Sequence, residues 1–290
     1  MVIPFPNIDP VAIHIYGPIA IRWYALAYIA GVLVGWWFAI SMLRQKSLWT
    51  NPPFRGKPPA TEEEIGDLVV WATLGVILGG RIGWDLFYGV LLCSHSPDSA
   101  YCHGLPMEFL TNPIRLIAAW DGGMSFHGGA IGVVLAIWLF CRRRGLSFFM
   151  IGDLVCLVQP IGQFFGRIAN FVNGELWGKP ADVPWAMIFP RAPDRLPRHP
   201  SQLYEAALEG ILLFVVLQIC LRVFRMHERP GLISAIFLAS YGLLRFVVEF
   251  FREPDTPFLG WFSMGQALSV ALLVAGGYLA ITVLSKPKAA

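Results

Sequence analysis

Four groups of side chains capable of chemistry stand among apolar residues in this sequence. Tyr241, Arg245, Glu249 and Arg252 fall at i, i+4, i+8 and i+11, which on a helix places them in a stripe about 80° wide. Such a face carries a phenol and alternating charges. Two guanidinium groups side by side suit an anion, because each planar fork offers two-pronged hydrogen bonds to phosphate or carboxylate. A self-neutralising Arg245–Glu249 ladder would use the same spacing.

The second group is Gly166-Arg167-Ile168-Ala169-Asn170-Phe171-Val172-Asn173-Gly174-Glu175-Leu176-Trp177-Gly178, which begins in an apolar run and ends in a polar loop. An Arg within hydrocarbon is disfavoured by roughly 2.5–3.5 kcal/mol on insertion scales, so it faces a partner or a wet cavity. Arg167, Asn170 and Gly174 share a helix face, with Asn173 one step round. Guanidinium and two amides together supply donors for a phosphate or a polyhydroxyl head group. They would also serve to join helices. Third is His127, flanked by Gly122, Gly123, Gly128 and Gly129, where missing side chains let a ligand or another backbone approach the imidazole. At that position it is either a base, a lipid contact or a hydrogen-bonded helix contact. Fourth, Ser201 has the character of an N-cap, followed by Glu205 and Glu209. Capping accounts for Ser201. It leaves two carboxylates continuing into an apolar segment unexplained.

The elements that must hold these groups are membrane helices. Of 290 residues, 56% are hydrophobic and only 14% charged, a composition foreign to water-soluble domains. Seven segments of roughly spanning length occur at about 18–43, 66–90, 123–141, 149–172, 202–224, 231–251 and 263–284. An odd number puts the termini on opposite faces. One set of connections, with the C-terminus, carries twelve Lys and Arg, and the other set, with the N-terminus, six. The positive-inside bias therefore predicts N-terminus out and C-terminus in. The outer loops 91–122 and 173–201 are expected to form a small head on a single domain spanning 1–290. Four basic residues in 173–201 run against the bias, which contact with an anionic lipid head group or a peptide would explain. Arg81 and Asp85, at i and i+4 beside Gly79, Gly80 and Gly83, read as a structural ion pair.

No basic tract interleaved with aromatics points to nucleic acid. The five cysteines (Cys93, Cys102, Cys141, Cys156, Cys220) lack ligand spacing, so neither metal nor cofactor is expected. Cys93 and Cys102 fall in an outer loop where a disulfide is compatible with an oxidising side. No internal repeat of the transporter kind is visible, although an anion or lipid transporter would use the same arginines.

The thirteen-residue stretch 166–178, His127-Gly128-Gly129, Arg198-His199-Pro200-Ser201-Gln202-Leu203-Tyr204-Glu205 and the Tyr241/Arg245/Glu249/Arg252 stripe together resemble the bacterial prolipoprotein diacylglyceryl transferases over nearly the whole chain. The resemblance implies an all-α, seven-helix polytopic bundle in the bacterial inner membrane, with its cavity facing the periplasm. It implies transfer of the diacylglyceryl group of phosphatidylglycerol to the lipobox cysteine thiol of prolipoprotein signal peptides, leaving a thioether and releasing glycerol-1-phosphate. Catalytic positions carried over are His127, Tyr241, Arg167 and Arg245. Substrate-binding positions are Arg167, Asn170, Asn173, Glu175, Gly178, Tyr24, Glu205, Glu249 and Arg252. The 91–122 loop is longer than the family pattern and 173–201 shorter, which bears on peptide contacts and not on the matched residues.

Overall fold

The structure is a computed structural model that describes residues 3–6, 8–16, 19–86, 123–253, 257–259 and 262–287. Two compact units divide the chain, one comprising 1–59 and 152–290, the other 60–151.

In the first unit, strand β1 (Ile3–Pro4) and the hairpin β2 (Val11–Tyr16)–β3 (Ile19–Arg22) lead into helix α1 (Trp23–Arg44). The buried residues of α1 are Gly31, Gly35, Ala39, Met42 and Leu43, while Trp37, Ile29 and Leu33 project outward. Small residues inside and bulky apolar ones outside invert the water-soluble pattern and fit a helix whose solvent is lipid. A Cβ at Gly31 would lie 3.2 Å from the Gly162 Cα, so α1 packs closely on α4 (Phe148–Val172), which contains Pro160. Strands β4 (Met187–Ile188) and β5 (Pro197–Arg198) precede α5 (Ser201–Arg222). Residues Ala206–Leu212 of α5 adopt π-helical geometry. Then follow α6 (Leu232–Val248), β6 (Pro257–Leu259), β7 (Phe262–Ser263) and α7 (Met264–Leu284).

Helix ends are fixed by side chains. Ser263 caps α7 in a reciprocal box with Gln266, satisfying two otherwise orphaned N–H groups. Helix α6 is capped from a distance: the Asp153 carboxylate of α4 accepts from Gly231 N (2.8 Å), Ser234 N (2.7 Å) and Ser234 Oγ (2.6 Å). Gly231 takes the positive φ, +95°, that this entry requires. On the polar side, β1 pairs with β4 and β4 with β5. Phe5 packs on Phe171 and Phe189, ring centroids 5.3 and 5.2 Å apart, giving 173–200 a core that includes the N-terminal segment.

In the second unit, α2 (Glu62–Trp84) starts with a Thr61–Glu64 capping box, and α3 (Phe126–Arg144) is capped by Ser125 and ends at Gly145 with φ +69°. The two lie against each other along glycines. A Cβ at Gly79 would meet the Gly128 carbonyl at 2.4 Å, and one at Gly132 the Gly75 carbonyl at 2.1 Å. Only missing side chains permit that separation.

Six described helices are long and apolar enough to cross a membrane, and Leu232–Val248 is a shorter apolar one. The chain is a mostly helical, multi-pass membrane protein. Three sequence expectations change. The all-α assignment gives way to helices with small sheets between them, formed where polar connections must satisfy backbone groups outside hydrocarbon. The first segment starts at Trp23, since 19–22 form a strand, and the segment expected to run to 251 ends as a helix at Val248. Ser201 is the first helical residue and Pro200 holds the cap position, the Ser201 hydroxyl donating instead to the Leu176 carbonyl at 3.0 Å. Cys93, Cys102 and the loop 91–122 lie outside the described residues.

Candidate active site

Glu205 organises the first unit's polar centre. It is 1% exposed and lies one turn into α5. Its Oε2 meets Arg167 Nε of α4 at 2.6 Å, and its Oε1 meets Arg245 Nη1 of α6 and Arg252 Nη1, each at 3.3 Å. Arg245 completes its fork with Nη2 on Glu249 Oε2, 2.8 Å. Glu249 is held in turn by the Ser263 hydroxyl, 2.9 Å, at the start of α7, where the helix dipole also favours negative charge. A Cβ at Gly265 would strike the Glu249 carboxyl group at 2.6 Å, so glycine there is what lets the carboxylate reach the helix end.

The stripe expected on one helix is therefore split. Tyr241 and Arg245 belong to α6 and Glu249 to the turn at its end, while Arg252 lies just past that turn, its N–H on the Val248 carbonyl at 3.1 Å, and bridges to Gly178. Gly178 has no room for a side chain: a Cβ would lie 2.5 Å from the Phe251 carbonyl and 2.7 Å from His199. That close approach draws the strand-like segment after the motif onto the chain leaving α6, and delivers Arg252 to Glu205.

The rest of the motif forms a relay. Arg167 Nη1 is 3.5 Å from Asn170 Oδ1, Asn170 Nδ2 donates to Glu175 Oε1 at 2.9 Å, and Asn173 Nδ2 reaches the same oxygen at 3.4 Å. One N–H of each amide is thus committed to Glu175, leaving the second on each for a ligand. Leu176, with φ +57°, turns the chain out of this loop. Tyr24, at the start of α1, shares a 3.1 Å hydrogen bond with Tyr28 and lies within electrostatic range of Glu175 and Arg167. Tyr241 stacks on Phe237, centroids 5.8 Å apart, and its hydroxyl has no hydrogen bond among the described residues. His127 belongs to the second unit, exposed in the first turn of α3 and edge-on to Phe126. The Arg81–Asp85 pair of that unit is formed, 3.5 Å apart, with both residues buried.

The family model for prolipoprotein diacylglyceryl transferase matches residues 10–282. The chain belongs to that family. It is 50% identical to the phosphatidylglycerol–prolipoprotein diacylglyceryl transferase of Rhodospirillum rubrum, over 94% of this chain and 92% of the relative. To the proteins of that name from Azospirillum brasilense and Allorhizobium ampelinum it is 49% identical, over 100% and 99% of the two chains in the first case and 95% and 90% in the second.

Two residues of this transferase's polar centre escaped the list drawn from sequence. Glu209, wholly buried, accepts from Gln163 Nε2 at 2.6 Å and lies 3.8 Å from Arg167 Nη2. Glu209 was visible as a carboxylate one turn past Glu205, whereas Gln163 carried no signal beyond being polar at i−4 from Arg167. Of the four outer basic residues, two turn inward. Arg198 donates to Asp194 (2.6 Å), Glu253 (2.7 Å) and the Gly178 carbonyl (2.9 Å), and Lys179 to the Phe250 carbonyl (3.0 Å). The hydrogen bond from Arg198 holds the Asp194 carboxyl below its ordinary range. Beside them, Trp185, Tyr204, Ala207, Leu208, Val248 and Phe251 surround an apolar cavity of about 430 Å³. The Tyr204 hydroxyl accepts from Trp185 Nε1 (2.6 Å) and meets His199 Nδ1 (3.0 Å). Burial pushes the His199 imidazole below its usual value.

Proposed function

We propose that this chain transfers the diacylglyceryl group of phosphatidylglycerol to the lipobox cysteine thiol of a prolipoprotein signal peptide, with the residues gathered around Glu205 serving the head group. The sulfur forms a bond to the terminal glycerol carbon of the diacylglyceryl group, the C–O bond from that carbon to phosphate breaks with its electron pair, and glycerol-1-phosphate departs. The observation that carries the assignment is the pair of half-buried guanidinium groups, Arg167 and Arg245, oriented by one carboxylate inside a membrane protein. A departing phosphate gathers charge, and fixed donors in a water-poor site stabilise such charge far better than water-exposed ones. Arg167 and Arg245 hold the phosphate. Asn170 and Asn173 use their spare N–H groups on the glycerol hydroxyls. Tyr241 and Tyr24 orient the lipid, and Glu205, Glu249, Glu175, Gly178 and Arg252 hold this constellation in shape.

His127 takes the thiol proton. A thiol titrates near 8.5 unperturbed and imidazole near 6.5, so a base beside the cysteine raises the thiolate fraction at neutral pH. The helices span the bacterial inner membrane seven times, N-terminus out, with the site opening to the periplasm. Support comes from the twofold excess of Lys and Arg on the opposite connections and from the 17-residue length of α6, which is at the lower limit for a span.

Mass spectrometry of a synthetic lipobox peptide incubated with purified protein and phosphatidylglycerol tests the reaction. A diacylglyceryl mass gain on cysteine, lost in Arg245→Ala, is expected. No gain from folded, lipid-bound protein would refute it and favour lipid or anion transport.

A further inference from the structure

Among the described residues, Arg167, Arg245 and Arg252 meet the carboxylates of Glu205, Glu209 and Glu249. A phosphodiester anion entering this buried site adds a negative charge to it. In a low-dielectric site an uncompensated charge is strongly disfavoured, and the common resolution is uptake of a proton by one of the groups. The geometry distinguishes the three carboxylates as acceptors of that proton.

Both oxygens of Glu205 are engaged by arginines, at 2.6 and 3.3 Å. Glu249 is held by Arg245 at 2.8 Å and by the Ser263 hydroxyl at 2.9 Å. Glu209 differs. Its Oε2 takes the Gln163 amide and only a long 3.8 Å approach from Arg167. Each of the three carboxylates has one fully buried oxygen without a hydrogen bond, but Glu205 Oε2 and Glu249 Oε2 lie 2.6 and 2.8 Å from an arginine nitrogen, whereas Glu209 Oε1 has neither a hydrogen bond nor an ion pair among the described residues. An orphaned buried carboxylate oxygen is the least supported anion of the three. Its position is enforced by packing. The π-helical stretch of α5 contains Glu209, and a Cβ on the adjacent Gly210 would lie 2.8 Å from Phe164 Cβ. Helices α4 and α5 therefore touch at this level, pressing Glu209 onto Gln163. The other charged or titratable groups facing Glu209 are Arg167 from α4, Glu205 from its own helix, and Arg245 and Tyr241 from α6.

We propose that Glu209 is a positioning residue that takes up one proton as an anionic phosphodiester head group enters the arginine cluster, releasing Arg167 to the phosphate. The proposal rests on the head-group reading above. Before binding, Glu205 and Glu209 share Arg167. On binding, the proton taken from solvent makes Glu209 neutral, Gln163 keeps its hydrogen bond to Oε2, and Arg167 exchanges one carboxylate for the incoming phosphate. No covalent bond of the lipid changes in this step.

Calorimetric titration of short-chain phosphatidylglycerol into the detergent-solubilised full chain, in buffers of different ionisation enthalpy between pH 6 and 9, tests this by counting protons. The wild type is expected to take up close to one proton per lipid. Its affinity should fall toward about tenfold per pH unit where that uptake is complete. Glu209→Gln, which keeps the shape and an acceptor for Gln163, should take up none and bind independently of pH at least as tightly as the wild type at low pH. Gln163→Leu removes the donor that supports the charged carboxylate and should move the falling limb to higher pH, a shift that a purely structural contact would not give. Proton uptake by Glu209→Gln equal to that of wild type overturns the proposal, as does binding by the wild type without uptake. Absence of binding to the folded wild type would overturn both the proposal and the head-group reading, whereas loss of the proton alone would leave that reading standing.

Discussion

Arg245→Lys separates charge from geometry at this site. Arg245 spans two carboxylates, Nη1 to Glu205 of α5 at 3.3 Å and Nη2 to Glu249 in the turn that ends α6 at 2.8 Å. A lysine ammonium keeps the charge but is a single point on a flexible stem, so it satisfies one carboxylate and not the fork. The stability loss is then one charge-assisted hydrogen bond, about 1.5–3 kcal/mol. Catalysis loses more. If the guanidinium supplies a donor aimed at the departing phosphate, its removal raises the barrier by about 2.7–4 kcal/mol, roughly 10²–10³ in kcat. The assay is the rate of peptide lipidation by mass spectrometry, with thermal melting of the same preparation in lipid nanodiscs. A folded Lys variant whose rate falls by about two to three orders of magnitude with a modest change in melting is the expected outcome. A rate within a few-fold of wild type would refute the reasoning, leaving Arg245 as charge balance for Glu205 and Glu249.

Glu205→Ala should destabilise the fold by about 3–5 kcal/mol, because it strips a fully buried carboxylate from three guanidinium groups; melting in nanodiscs checks it, and a fall no greater than that of an exposed Glu→Ala change would count against it. Asp153→Ala removes the remote cap of α6 and three hydrogen bonds, a loss of at least the 0.5–2 kcal/mol typical of a cap, read as faster hydrogen exchange at 231–235. His227 is 3% exposed, with Nε2 2.7 Å from the Leu48 carbonyl, stacked on Phe54 and edge-on to Trp49. Burial lowers its pKa. The unfolded chain therefore binds more protons as pH falls, and the stability that neutral His227 contributes is full above about pH 6.5 and lost as pH drops through the folded value. Melting temperature measured from pH 8 to 4.5 should decline at the acid end, and less steeply in His227→Gln; equal slopes in the two proteins would exclude His227 as a source of the decline.

Much of the chemistry was legible from types and spacing because an ionisable residue within an apolar run has few options. Arg167 and Arg245 required partners in hydrocarbon, and Glu205 and Glu249, noted as carboxylates in or beside spans, are those partners. The Arg81–Asp85 pair followed from i, i+4 spacing alone, since helical geometry sets that contact without help from the rest of the molecule. Composition and segment length likewise established a multi-pass membrane protein, because lipid requires backbone hydrogen bonds to close within each helix.

Contacts between elements distant in sequence were decided only by the tertiary structure. Periodicity placed Arg252 on the same helix as Arg245. Instead the helix stops at Val248, and Arg252, one turn further on, is bridged to Gly178, whose missing side chain lets the two segments meet, a steric fact that no local pattern encodes. Ser201 carried the signature of a cap, yet its hydroxyl serves the Leu176 carbonyl while Asp153, 78 residues away from Gly231, caps α6. Gln163 gained significance only when Gly210 brought α5 against α4. The sequence by itself determined which side chains had to find partners in the membrane; the fold decided which partners they found, since that choice depends on where missing side chains let helices touch.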